Sequence, residues 1–255
     1  MKDYIKQQQA HFDSIAEKYF QERKNEKSVL LKYLMWSHFL GPKSYLKQVT
    51  KVLEPMCGFG DGKKILEVHL DKEIEYEGFD YSGNIVEKAL ENDPRIKIRQ
   101  GNILDLDSQN TYDMILVIGG LHHVYRHIEI VLDKIFNALK PGGFFLVYEP
   151  THNSVVTKKI RNFIYRRNPL FDYETEQDFN LPTLNRMFQS SGFKIVDQMY
   201  PGLLSYILYY NPDAFPALNK GSKKLLATIF KAEKPFYRNV IGRKFSFTTL
   251  TLCKK

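Results

Sequence analysis

Between residues 50 and 150 short apolar runs alternate with stretches of helical spacing, and no other property of the chain narrows its fold as far. Val52-Leu53 ends a short strand before a glycine turn. The spacing then predicts a helix over about 61–69, a strand over 75–79, a helix over 83–92, a strand over 96–100 and a buried strand over Tyr112–Ile118. A helix over about 127–139 is stopped by Pro141-Gly142-Gly143, and Phe144–Tyr148 reads as another strand. Strands separated by helical crossovers predict a parallel sheet covered on both faces, a doubly wound α/β core.

The flanks read differently. Residues 3–40 predict two helices: the first carries Phe12, Ile15, Ala16, Tyr19 and Phe20 on one apolar face, and the second, Ser28–Leu40, stops at Gly41-Pro42. After residue 150 come a basic amphipathic helix (Ser154–Arg166), an acidic loop (Asp172–Asp178), a helix ending at Gly192 and a strand over Phe193–Met199. About 44 irregular residues lead to a last strand, Phe245–Leu252. No linker-like stretch divides the chain. One domain is expected over 1–255: an N-terminal helical cover (1–48), a cofactor-binding core (49–150) and a substrate or lid region (151–255) that includes an insertion at 201–244.

The strongest chemical signal is Val52-Leu53-Glu54-Pro55-Met56-Cys57-Gly58-Phe59-Gly60-Asp61-Gly62. A strand entering Gly-x-Gly and then a helix brings backbone N–H groups and a helix N-terminus against a polar ligand, because glycine has no side chain to hold it away. The dinucleotide-binding form requires a third glycine three residues after the second, and that position is Lys63. Twenty residues after Gly60, Asp80 closes the next strand, where a carboxylate accepts hydrogen bonds from both hydroxyls of a cofactor ribose. A plain helix cap is the alternative reading of Asp80.

Taken with Phe79-Asp80, Gly101-Asn102-Ile103, Leu121-His122-His123-Val124 and Leu139-Lys140-Pro141-Gly142-Gly143, the segment resembles class I S-adenosylmethionine-dependent methyltransferases. The likeness is to the broad small-molecule group that includes the ubiquinone and sterol methyltransferases, and it covers residues 10–150 well. It implies a Rossmann-like, seven-stranded, mostly parallel sheet with an antiparallel last strand. It also implies a role for each matching position. Glu54 faces the methionine amino group, Gly58 and Gly60 admit the backbone, and Asp80 holds the ribose with Tyr81 against the adenine. Asn102 meets the adenine amino group, Ile103 packs on the ring, Gly119 lines the methionine end, and Tyr19 either folds over the cofactor or simply packs on the apolar face of its helix. Met56 stands where the family usually has its first glycine, and Asn102 where aspartate is commoner. No metal is expected.

Methyl transfer needs alignment and exclusion of water, and a base only where the acceptor must lose a proton. His122 and His123 follow the fourth strand at the edge where open α/β sheets bind ligands, so they are the candidate bases; capping the next helix is the alternative. Ile118-Gly119-Gly120-Leu121 lacks the prolines and the stacking aromatic of enzymes that methylate base amino groups, which argues against nucleic acid as substrate.

Charge is unevenly spread. Residues 1–150 carry 20 basic and 22 acidic side chains, whereas residues 201–255 carry 10 and 2. The basic, aromatic-rich segments 154–166 and 201–244 suit a lid over a lipophilic or anionic acceptor, or peripheral contact with a membrane. Asp172, Glu174, Glu176 and Asp178 suit a solvated loop or a cationic acceptor. With two cysteines, no apolar run of membrane-spanning length and no signal-peptide core at Met1-Lys2-Asp3-Tyr4, the expected setting is cytoplasmic. The expected function is methylation of an oxygen, nitrogen or carbon atom of a small molecule. A non-catalytic binding module, or a macromolecule methyltransferase docking through the basic end, are the alternatives.

Overall fold

The computed structural model describes residues 2–22, 24–165, 178–210 and 217–255, with the backbone alone at 2–5, 18, 19, 22, 164 and 165. Helices α1 (Lys2–Glu22) and α2 (Glu26–Leu40) lead into β1 (Lys51–Pro55), α3 (Asp61–Leu70), β2 (Glu75–Asp80), α4 (Gly83–Asn92), β3 (Ile98–Gln100) and β4 (Tyr112–Ile118). A 3-10 segment, Leu121–His127, runs into α5 (Ile128–Ala138) and β5 (Leu139–His152). Then come α6 (Val155–Tyr165), β6 (Phe179–Asn180), α7 (Leu181–Ser190), β7 (Lys194–Met199), α8 (Leu204–Tyr209), α9 (Lys223–Glu233), α10 (Val240–Phe245) and β8 (Thr248–Lys254).

The strands lie in the order β3-β2-β1-β4-β5-β8-β7, and the two-residue β6 pairs beside the path with the end of β5. Pairing is parallel from β3 through β5, while β8 runs antiparallel to both of its neighbours. This is the expected Rossmann-like sheet with one reversed strand. Side-chain alternation along β4 divides the core: Met114 and Leu116 face α2, α3, α8 and α9, whereas Ile115 and Val117 face α5 and α7.

Two expectations change. The stretch expected to be irregular before the last strand is largely helical, holding α8, α9 and α10. Local capping accounts for it: Ser222 Oγ accepts from Leu225 N, and Asn239 Oδ1 accepts from Ile241 N and Gly242 N. Because α10 runs to Phe245, β8 begins at Thr248 rather than at Phe245. The insertion also packs inward. Tyr209, Leu226, Phe230 and Tyr237 are fully buried with Trp36 and Phe39, and Ser28 Oγ donates to Tyr210 O at 2.8 Å. A buried carboxylate, Glu233, ties its parts together by accepting from Ser205 N (3.0 Å), Ser205 Oγ (2.5 Å) and Tyr237 Oη (3.0 Å). Asp172, Glu174 and Glu176 lie outside the described residues, whereas Asp178 is engaged with His152 (2.8 Å) and Arg161 (2.9 Å).

Candidate active site

The turn after β1 decides the shape of the site. Met56, Gly58 and Gly60 all have positive φ (55°, 54° and 75°), the left-handed region that glycine enters without penalty. A Cβ on Gly58 would meet no atom within 4 Å, so this face of the turn is open. Its N–H donates to Asp80 Oδ2 at 2.9 Å, while Asp80 Oδ1 accepts from Ser82 N at 3.0 Å. Gly60 serves packing instead: a Cβ there would lie 2.4 Å from Ile96 Cδ1.

The open face is the wall of a solvent-open cleft at the carboxyl ends of β1, β2 and β4, lined by Met56, Gly58, Tyr81, Ile85, Ile118, Gly119 and His123. Three carboxylates, Glu54, Asp61 and Asp80, also line it, and no lysine or arginine does among the described residues. Glu54 accepts from Tyr76 Oη at 2.5 Å; burial, reinforced by that carboxylate, pushes the Tyr76 phenol well above its ordinary range. Gly62 makes room for the pair, since a Cβ there would sit 2.4 Å from Glu54 Oε2.

Helix α1 closes one side. Asp13 Oδ1 accepts from Ser82 Oγ (2.5 Å) and Asn84 N (3.3 Å), and Glu17 pairs with Lys88, which fastens α1 along α4. Phe12 is thereby held over the cavity, edge-on to His123 with centroids 4.9 Å apart and 6.1 Å from Tyr81. The Tyr19 side chain, expected in this role, lies outside the described residues. Phe12 is seven residues earlier, hence on the same helical face.

The loop after β4 is fixed by a residue with no place in the motif reading. Glu149, fully buried on β5, accepts from Gly120 N (2.8 Å) and Leu121 N (2.7 Å) through Oε1, and its Oε2 lies 2.9 Å from His122 Nδ1. Burial raises Glu149 to about 8; burial, then the charge of Arg161, lowers His122 to about 3. Both shifts oppose charge, so the pair holds one proton between them near neutrality. His123 lies against His122, with ring centroids 3.9 Å apart and planes tilted by 39°, and reaches the cavity wall; burial, reinforced by its histidine neighbours, holds it well below the ordinary imidazole range.

The predicted residues therefore divide. Glu54, Met56, Gly58, Asp80, Tyr81, Gly119 and His123 converge on one cavity, with His122 directly behind it. Asn102 and Ile103 are not brought to that wall. Asn102 lines a neighbouring cleft and caps the next turn through Oδ1, which accepts from Leu104 N at 3.0 Å. Ile103 is buried in the core with Leu53 and Phe79. Phe12, Asp61, Tyr76, Gly62 and Glu149 are the additions. Of these, Asp61 and Gly62 stand inside the glycine motif and Phe12 on the apolar face of α1, while Tyr76 and Glu149 carry no local signal.

Residues 22–198 match the family model described as a methyltransferase domain. A demethylmenaquinone methyltransferase of Staphylococcus aureus is 26% identical over 202 residues, covering 71% of this chain and 83% of that protein. Among solved structures, a SAM-dependent methyltransferase from Archaeoglobus fulgidus superposes with a TM-score of 0.60 at 15% identity, over 93% of this chain and 99% of the other. Phosphoethanolamine N-methyltransferase 2 from Haemonchus contortus, solved with phosphomonomethylethanolamine and S-adenosylhomocysteine, gives 0.58 at 18% identity, over 88% and 52%. At these identities the two structures bear on the fold.

Proposed function

Because the chain belongs to the methyltransferase-domain family and is an S-adenosylmethionine-dependent enzyme, we propose that it methylates a small lipophilic molecule on an oxygen, nitrogen or carbon atom, with His123 receiving the acceptor's proton. The cavity suits this cofactor on charge. S-adenosylmethionine brings a sulfonium and an ammonium against one carboxylate, and the wall presents the side chains of Glu54, Asp61 and Asp80. A phosphate-bearing dinucleotide would meet repulsion there.

Bound in this cavity, the cofactor supplies a methyl group on a positively charged sulfur. Asp80 holds the ribose hydroxyls, Tyr81 and Ile85 flank the adenine, and Glu54, set by Tyr76, faces the ammonium. Gly58 and Gly119 keep the backbone clear of the ligand, and Phe12 excludes water. For Asn102 to meet the adenine, its side chain must give up the cap on Leu104 N. His123, neutral at rest, would take the proton that the acceptor loses when it receives the methyl group that the bound cofactor would supply. Proton transfer to a buried imidazole is ordinarily costly. Here the cavity loses a sulfonium charge in the same step, so its net charge is unchanged. Glu149 acts through the loop, as a positioning residue for His122 and His123.

The observation that supports the acceptor class is an aromatic cluster packed behind Ile118, beside the cavity rather than lining it. Tyr148, next to Ile118 across β4 and β5, lies 5.5 Å from Tyr210, which stacks on Tyr206 at 4.8 Å, and Trp36 lies 6.1 Å behind Tyr148. The S. aureus relative, whose name gives demethylmenaquinone as its acceptor, supports a lipophilic ring. The test is incubation of the purified protein with methyl-labelled S-adenosylmethionine and separate pools of lipophilic small molecules, RNA and protein. Label is expected in the solvent-extractable product; label in RNA or protein alone would overturn the reading.

A further inference from the structure

Helix α6 packs with its polar side inward. Thr157 and Arg161, one turn apart, are 1% and 5% exposed, whereas Val155, Val156, Ile160 and Phe163 are 71%, 54%, 44% and 54% exposed. Burying a guanidinium is unfavourable unless its charge and donors are met. They are met here: Arg161 lies against Asp178 Oδ2 (2.9 Å) and donates to Thr151 O (3.1 Å) and Phe247 O. The fold thus engages an arginine internally while Val155, Val156 and Ile160 of the same helix stay largely exposed.

Helix α10 continues the feature. Asn153 Nδ2, just before α6, donates to Arg243 O at 2.6 Å, and α10 exposes Val240, Ile241 and Phe245 at 78%, 51% and 43%. Seven of the seventeen exposed large hydrophobics among the described residues fall on these two short helices, which makes them a patch rather than scattered side chains. Neither helix contains an aspartate or glutamate, and the exposed Lys158, Lys159, Arg243 and Lys244 stand among the apolar groups.

We propose that α6 and α10 form a docking surface for an anionic lipid bilayer, with the hydrophobic side chains entering the headgroup boundary and the four cations meeting acidic lipids. Interleaved cations and bulky apolar groups without acids match such an interface. A second copy of the chain is the poorer occupant, because a self-complementary contact would set these four cations against four more. Among the described residues no helix is long and apolar enough to cross a membrane, so the contact is peripheral. Both helices adjoin the carboxyl end of β5 and the start of β8, on the sheet edge that also carries Gly119 and His123. Docking would therefore present the mouth of the site toward the bilayer. For its purpose the inference rests on the lipophilic-acceptor reading; for its evidence it stands on the patch alone.

The test uses the full chain and flotation with vesicles of phosphatidylcholine alone or containing about one-third phosphatidylserine. Retention is expected on the phosphatidylserine vesicles, reduced at least tenfold in 0.5 M NaCl. The pairs Phe163→Ser/Ile241→Ser and Lys158→Glu/Arg243→Glu should each reduce retention at least tenfold while S-adenosylmethionine binding stays within twofold, which shows that the variants fold. No retention, or retention insensitive to both pairs, would overturn the proposal, as would a wild-type dimer that Phe163→Ser/Ile241→Ser makes monomeric. Label transfer in detergent separates the two readings: a lipophilic product without flotation sinks the surface alone, and flotation without a lipophilic product sinks the acceptor reading alone.

Discussion

The carboxyl edge of the sheet carries two regions of opposite character. Around β1, β2 and β4 the cavity wall presents Glu54, Asp61 and Asp80 with no described lysine or arginine, while around β5 and β8 the helices α6 and α10 present Lys158, Lys159, Arg243 and Lys244 with no acid. The first is recessed and hydrogen-bonded; the second is exposed and interleaved with apolar side chains. The contrast assigns each region a charge of partner, a cationic small molecule in the cleft and an anionic surface beside it.

The largest effect should separate chemistry from binding within the acidic region. His123→Ala is expected to lower kcat by about a hundredfold or more, the usual worth of a proton acceptor, while S-adenosylmethionine affinity changes only a few-fold. Single-turnover kinetics with titration calorimetry on the same sample measures both. An unchanged kcat would leave His123 as wall, and the region as a binding site whose acceptor needs no base.

Next in size is Asp80→Asn. The carboxylate already accepts from Gly58 N and Ser82 N through separate oxygens, so the amide removes the charge that strengthens bonds to ribose and turns its NH2 toward one of these donors. A charge-assisted hydrogen bond contributes about 1.5–3 kcal/mol, so affinity for the cofactor should fall by roughly ten- to a hundredfold. A matching loss in vesicle retention would break the separation of the two regions.

How far each region is legible in the sequence follows from the distance over which its parts interact. Glu54, Gly58 and Asp80 belong to one strand–turn–helix–strand unit, where spacing translates directly into position. The reversed last strand and the two-sided core follow from the same alternation. Phe12, Tyr76 and Glu149 are different: each is an ordinary helix or strand residue until a distant segment arrives, as when Glu149 meets the backbone of 120–121. The α6 helix shows the limit most sharply. Its apolar stripe is plain in the sequence, yet periodicity gives the stripe and not the direction it faces. That direction is set by Asp178 and the Phe247 carbonyl, which claim Arg161. Helices α8 and α10, of six residues each, are too short for any periodicity to register.

A smaller effect concerns the proton shared by Glu149 and His122. Burial raises the Glu149 pKa to about 8 from an ordinary 4.5, so the folded protein binds a proton that the unfolded chain releases, and this stabilisation is lost as pH rises through 8. His122, lowered from 6.5 to about 3, works oppositely, contributing stability that is present above 6.5 and lost as pH falls toward 3. The two slopes cancel between 4.5 and 6.5, leaving Glu149 alone between 6.5 and 8. Stability to denaturant should therefore decline across that window by about 1 kcal/mol per pH unit, and Glu149→Gln, which keeps an acceptor for Gly120 and Leu121, should flatten it. A flat wild-type curve would mean that the buried pair has given up its shared proton below pH 6.5, with Glu149 ionised and His122 neutral.

The smallest effect tests the turn on which the acidic region is built. Met56 holds φ at 55° where the resemblance calls for glycine, and a residue with a Cβ pays about 1–2 kcal/mol in that conformation. Its side chain returns part of this by packing against Gly120, where an added Cβ would lie 3.1 Å from Met56 Cε. Replacing Met56 by glycine therefore mixes relief of strain with lost packing, and the net change is not diagnostic. The informative quantity is the difference between Met56→Gly and Met56→Ala. Both remove the long side chain, and Ala alone keeps the Cβ, so the glycine variant should be the more stable by about 1 kcal/mol after allowing for its freer unfolded chain. Equal denaturation midpoints would show that the turn relaxes once the side chain is gone. In that case the left-handed geometry at residue 56 comes from the methionine's packing, and Gly58 and Gly60 alone hold the cavity open.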